Sequence, residues 1–279
     1  MNYKIIVDSC GEIPKLQKES QRFESVPLTL MIGDYQVIDD ETFDQADFIQ
    51  RVKAYEGCPK SACPSPERYM QAMEGNYDCI FVVTLSEKMS GSYNSAMLGK
   101  SLIQEKEPNK KIHVFNSRSA SVGQTQIALK VQELAKENVP FEEIVKQGEA
   151  FLEEMNTYFV LETLDTLKKN GRLSNIQAVL ANVLSIKPIM GATEEGNICK
   201  LDQARGINKA LIKMAEIITQ KVKNPEQKRL MISHCNCKER AEYVKKLITE
   251  QIKVKETIIL DTRGVSTMYA NDGGIIVTI

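Results

Sequence analysis

Thr84-Leu85-Ser86-Glu87-Lys88-Met89-Ser90-Gly91-Ser92-Tyr93-Asn94-Ser95-Ala96 follows the apolar run Tyr77-Asp78-Cys79-Ile80-Phe81-Val82-Val83. The run reads as a buried strand, and the chain then passes through a small-residue loop into a helix from Tyr93 to about Ile103. Ser90, Gly91 and Ser92 fall at the start of that helix, where backbone N–H groups lack intrahelical partners and hydroxyl donors converge. Such a spot favours a carboxylate or phosphate, which meets the positive end of the helix dipole; a bulky residue at Gly91 would block its approach. The alternative reading is that Ser90 or Ser92 only caps the helix.

The same grammar of strand, polar loop and helix recurs on both sides. Tyr3 to Asp8 reads as a strand buried on both faces, turned by Asp8-Ser9-Cys10-Gly11. Lys111 to Phe115 is a strand, Asn116 to Gln124 a serine-rich loop containing Ser117, and the helix after it carries Ile127, Val131 and Leu134 on one face. Three such units build a parallel sheet whose loops gather at one edge. Asp8 and Ser9 lie at that edge, either as ligand contacts or as turn caps. Ser25 to Ile32 reads as one further extended segment, and a helix is expected from about Asp44 to Tyr55. The loop Gly57 to Glu67 ends in Ser65-Pro66-Glu67, a helix start with proline at its first position. Its prolines are expected to hold Ser61 to Cys63 out from the body, over a pocket.

The helix from Phe141 to about Met155 closes a first domain, 1–156. A second α/β domain, 157–279, begins with a strand from Thr157 to Leu161. A helix then stops at Asn170-Gly171, and Arg172 follows on the cap loop, placed for a phosphate, a partner carboxylate or an ordinary salt bridge. Ile176 to Val183 reads as helical, Ile198 to Leu201 as a short strand, Gln203 to Gly206 as a turn, and Ile207 to Val222 as an amphipathic helix. Arg229 to Ser233, Glu256 to Leu260 and Gly273 to Ile279 complete the strands.

Composition excludes several classes. With 36 basic against 37 acidic residues and no basic run, the 279-residue chain has no nucleic-acid footprint. No apolar stretch is long enough to span a bilayer, and a soluble, cytoplasmic protein is expected. Seven scattered cysteines make no disulfide framework. His234-Cys235-Asn236-Cys237 offers no C-x-x-C pair, so neither a metal site nor a cofactor is expected.

The loops together resemble those of the DegV family of bacterial fatty-acid-binding proteins, which includes the binding subunits of fatty-acid kinase. The resemblance runs through Asp8-Ser9, Val26-Pro27-Leu28, Pro64-Ser65, Leu85-Ser86, Ser90-Gly91-Ser92-Tyr93, Ser117-Arg118-Ser119-Ala120-Ser121 with Gly123, Gly171-Arg172-Leu173-Ser174 and Ile186-Lys187-Pro188-Ile189. It implies a two-domain α/β protein with a long-chain fatty acid between the domains. The carboxylate would be held at Ser61 and Ser90, with Ser65, Gly91, Ser92, Asp8, Ser9 and Ser117 as further pocket candidates. Arg172 and Arg205 would meet a kinase or the nascent acyl phosphate. Two departures stand out. The family's loop threonine is Ser61 here, followed by Ala62-Cys63. Its C-terminal His-x-Gly-x-Gly pattern is absent, and Thr267 is taken as the histidine position, a third carboxylate contact that brings no positive charge.

A reading from another class is an enzyme acting on a small phosphorylated or carboxylated substrate, with Ser90 or Ser117 as nucleophile or anion clamp. A serine nucleophile requires a positioned base, and His113 and His234 both fall in or at the ends of strands.

Overall fold

Two fully buried runs, β1 (Tyr3–Asp8) and β6 (Cys79–Thr84), form the centre of a sheet, with β2 (Phe23–Val26) and β7 (Lys111–Asn116) at its edges. The order is β2-β1-β6-β7 and every pairing is parallel, with Ile5 opposite both Phe23 and Phe81. The computed structural model describes residues 1–14, 20–174 and 185–279, so the helix expected over 176–183 lies outside the described residues.

Alternate residues of these strands feed two cores, as the two-residue period of a strand dictates. Ile5, Val7, Phe81 and Val83 pack on α4 (Val122–Lys136) and α5 (Phe141–Glu154). Ile6, Ile80, Val82 and Val114 pack on the other face, against α2 (Pro66–Ala72) and α3 (Ser92–Lys106). Ser65 caps α2 by accepting the Arg68 N–H (3.3 Å), with Pro66 at the first helical position.

The segment expected as one strand from Ser25 to Ile32 divides at Pro27-Leu28. β2 stays in the parallel sheet, while β3 (Thr29–Ile32) joins β4 (Tyr35–Ile38) and β5 (Lys60–Ala62) in a small antiparallel sheet of order β4-β3-β5. Residues 60–62 are therefore not held out from the body: they pair with β3, Ser61 opposite Leu30. Helix α1 (Gln45–Ala54) lies between β4 and β5 in the chain, its start capped by Asp44, which accepts the Asp47 N–H (3.0 Å).

The second sheet is mixed. Its order is β10-β9-β8-β13-β11-β12, built from β8 (Thr157–Val160), β9 (Ile186–Ala192), β10 (Ile198–Arg205), β11 (Arg229–His234), β12 (Glu256–Asp261) and β13 (Ile275–Thr278). Only β11 and β12 pair in parallel. β10 is longer than expected, because pairing with β9 resumes past a bulge between Lys200 and Asp202 and carries the strand to Arg205. Helices α7 (Ile207–Lys221) and α8 (Lys238–Thr249) bury their apolar faces on the outer side of this sheet.

Helix α4 joins the halves. Ile127, Ala128, Val131 and Leu134 belong to the first core, whereas Val122 and Leu129 pack against Met231 of β11. A helix covered on both sides is buried nearly all round. No helix among the described residues is long and apolar enough to cross a membrane.

Candidate functional site

A cavity lies between the loops at the carboxyl edge of the first sheet and the face of the second, and reaches the start of α4 at Ser121. Leu28, Leu85 and Met89 line it from the first half, and Phe159, Leu161, Ile198 and Ile276 from the second. Thr157, Phe159 and Leu161 all line it, so the cavity runs along one face of β8 and past its end.

One end is polar. Ser61 of β5, Ser90 of the loop before α3, Arg172 and Tyr269 all reach the lining. Ser90 accepts the N–H of Ser92 (3.2 Å), and its hydroxyl donates to the Ser92 hydroxyl (3.2 Å). Gly91 is the residue before the helix, and a Cβ there would sit 3.1 Å from Cys63 Sγ. Arg172 is fixed by a C-terminal cap on α6 (Asp165–Lys169). There the Arg172 N–H reaches Leu167 O (2.9 Å) and the Gly171 N–H reaches Lys168 O (3.0 Å), with Gly171 at φ +77°. This is a Schellman pair, which only a residue tolerant of the left-handed region completes without cost. The guanidinium donates to Met89 O (3.1 Å) and Asn170 O (2.7 Å) and stands 5.6 Å from the centre of the Tyr269 ring. Among the described residues that line the cavity, Arg172 carries the one charge.

Tyr269 comes from α9 (Gly264–Ala270), a short helix that the sequence reading missed. Its start is held by buried Asp39, whose carboxylate accepts the N–H groups of Gly264 and Val265 (2.9 Å each). Val265, Ser266, Tyr269 and Ala270 fall on one face at i, i+4 spacing, and all four line the cavity. That spacing was the available signal. The capping acid, more than 220 residues earlier in the chain, gave none.

The other predicted residues stand apart from the cavity lining. Thr267 faces the opposite way, its hydroxyl 2.9 Å from that of Thr262 and 3.3 Å from Gln45 Nε2. A five-residue His-x-Gly-x-Gly pattern counted back from Gly274 begins at Ala270, so the position taken as Thr267 belongs three residues later. Asp8 is buried and ties three segments together, accepting from Leu85 N (2.9 Å), Cys10 N (3.2 Å) and Gln124 Nε2 (2.8 Å). Burial outweighs these bonds and raises its pKa to about 6. Ser9 accepts the Leu28 N–H (3.0 Å), and Ser117 closes its own loop onto Ser119 O (3.0 Å). Ser65 is the α2 cap, Ser92 is buried beneath Ser90, and Arg205 is exposed at the end of β10.

At the far end the cavity meets Ser119, Ser121 and Thr157. Ser119 and Thr157 share a hydroxyl bond (2.7 Å), while Ser121 donates to Glu12 Oε2 (2.6 Å) and lies 2.7 Å from Ser233 Oγ. Glu12 is wholly enclosed, and burial raises its pKa to about 7. Among the described residues no group of three or more His, Cys, Asp or Glu is placed to hold a metal.

The family model described as "Uncharacterised protein, DegV family" matches residues 2–278. The chain belongs to the DegV family. A DegV domain-containing protein of Streptococcus pneumoniae is 33% identical over 278 residues, which is 99% of this chain and 98% of that protein. Among solved structures, a DegV family protein of Ruminococcus gnavus described with vaccenic acid superposes with a TM-score of 0.97 at 52% identity, over 100% of this chain and 99% of its own. The fatty acid kinase (Fak) B3 protein of Streptococcus pneumoniae, loaded with linoleic acid, matches with a TM-score of 0.91 at 32% identity, over 100% and 99% of the two chains. The DegV fold thus accounts for the parallel sheet, the mixed sheet and the cavity between them.

Proposed function

We propose that this DegV protein is a cytoplasmic carrier that holds one long-chain fatty acid in the cavity and presents its carboxylate to a fatty-acid kinase. The carrying observation is the cavity's polarity: an apolar middle lined by Leu28, Leu85, Phe159, Leu161, Ile198 and Ile276 ends at two serine hydroxyls, a phenol and an arginine. The tail lies among aliphatic and aromatic side chains, each buried methylene contributing about 0.8 kcal/mol. Ser61 and Ser90 hold the carboxylate beside the start of α3, and Arg172 sits where a phosphorylated head group would need a cation. Arg205, exposed on β10, is assigned to the kinase contact. The halves 1–156 and 157–279 are two domains sharing α4, and the kinase, not this chain, carries out the chemistry.

The alternative of a serine hydrolase lacks its base. His113 pairs with Glu149 (3.0 Å) and His234 with Asp261 (3.3 Å), and neither lines the cavity. No lysine or carboxylate is found among the described lining residues either.

Native mass spectrometry of the purified protein, followed by organic extraction, tests the carrier reading. The expected result is one long-chain fatty acid per chain, lost in Ser90→Ala. A protein that is empty and takes up no added fatty acid refutes it.

A further inference from the structure

We propose that Tyr269 is a head-group donor of this cavity and its specificity-determining residue for a free acid. The inference rests on the carrier reading and names a residue that reading does not require.

The geometry carries it. Tyr269 Oη lies 3.2 Å from Ser61 Oγ, and both groups belong to the cavity wall. Two hydroxyls that, among the described residues, bond only to each other satisfy one donor and leave the second hydrogen and several lone pairs to a ligand. A carboxylate placed between them is acceptor-only and takes both hydrogens, so the hydroxyl pair opens onto it without leaving either group unpaired. An ester or alcohol at the same place cannot accept two charge-assisted bonds. Arg172 stands over the same ring, anchored by two backbone carbonyls, so its charge lies beside the phenol and favours an anion there. Burial of Tyr269 raises its pKa, which keeps the phenol a donor at neutral pH.

The ring is held on the cavity side by the helix that carries it. Asp39 fixes the first turn of α9, and the Thr262–Thr267 bond fixes its opposite face. Position 269 therefore cannot rotate away from the cavity without breaking three buried contacts. Ala270, the other wall residue at the end of α9, has no polar side-chain atom, so the phenol is the side-chain donor that this end of the helix offers to the cavity.

The test compares vaccenic acid with its methyl ester on protein stripped of co-purified lipid, by displacement of a fluorescent fatty acid. In Tyr269→Phe the acid should bind about ten- to a hundredfold more weakly, the worth of one hydrogen bond to a charged group. Ester affinity should change by less than about threefold, because the ring and its packing remain. Equal loss for acid and ester would assign Tyr269 a packing role and overturn the proposal, as would no loss for either. If the unmutated protein binds neither ligand, the carrier reading itself fails. If it binds both, and Ser90→Ala loses the acid while Tyr269→Phe does not, the carrier reading survives and this proposal does not.

Discussion

Glu12 is the group whose replacement tests the interior most directly. Its carboxylate is enclosed between the β1 loop, the start of α4 and β11, with Ser121 donating at 2.6 Å, and burial raises its pKa from the ordinary 4.5 to about 7. The native state therefore holds this proton more tightly than the unfolded chain does. The stability that follows is complete below pH 4.5 and is lost as pH rises through 7. Between pH 5.5 and pH 8 the loss from this one group amounts to about 2 kcal/mol, from the 1.36 kcal/mol carried by each pKa unit. Glu12→Gln keeps the oxygen that accepts from Ser121 and removes the charge. Any constant cost of placing an amide there cancels when the variant and the parent are compared at two pH values. Thermal midpoints of both proteins, at matched lipid load because a bound ligand also stabilises, should show the variant gaining about 4 °C on the parent between pH 5.5 and 8. A difference that does not change with pH would mean that Glu12 is already ionised without penalty, and the account of this buried chain of Glu12, Ser121 and Ser233 would be wrong.

Three further outcomes follow from local geometry. Ser90→Ala should weaken fatty-acid binding about ten- to a hundredfold, measured by displacement titration, with the circular dichroism spectrum unchanged. Gly99→Ala should lower stability by about 1–3 kcal/mol in chemical denaturation, since the new Cβ would lie 2.7 Å from Pro66 O and 2.8 Å from Tyr69 Cβ, where α2 and α3 cross. Asp39→Asn should cost about 1–2 kcal/mol in the same assay, because an amide presents one acceptor to two helix N–H groups that now share a carboxylate at 2.9 Å.

What the sequence made legible was local. The apolar runs at residues 3–8 and 79–84, the Ser65-Pro66 helix start and the Asn170-Gly171 stop each carry their signal within a few residues, and each formed where expected. Ser90 and Arg172, chosen as candidates for the head group and the phosphate, reach the cavity wall because each sits next to such a local element, whereas Ser61 reaches it through the pairing of β5 with β3, which its own loop did not announce. Asp8, Ser9 and Ser117 lie at the expected sheet edge, yet their polar atoms are spent within the protein, Asp8 on backbone N–H groups and the Gln124 amide, Ser9 and Ser117 on backbone, a distinction that residue type alone does not make. Tyr269 was hidden for the opposite reason. Its partner Ser61 is 208 positions away, and its helix exists because Asp39 caps it from another sheet.

The helix between the sheets shows most clearly why the second half of the site was not legible. In α4 the polar residues Gln124, Thr125, Gln126 and Gln132 are all buried, as are the apolar Ile127, Val131 and Leu134. Gln124 donates to Asp8 (2.8 Å), Thr125 to Glu12 O (2.8 Å) and Gln126 to Arg229 O (2.7 Å). A buried amide is tolerable only when such bonds replace water. Gln124 and Thr125 thus fasten α4 to the end of β1 and the loop after it, in its own half, while Gln126 fastens it to β11 in the other: separating the halves along α4 would strip the Gln126 bond as well as the Leu129 and Met231 contact. The apolar stretch left uncovered is the part of the second sheet beyond α4, where Phe159 and Leu161 line the cavity with Leu28 and Leu85, and Ile276 lies at the border, packed against the α4 cluster. One helix thus covers part of the second sheet and leaves the adjoining part, under the loops of the first, open to a chain of methylenes.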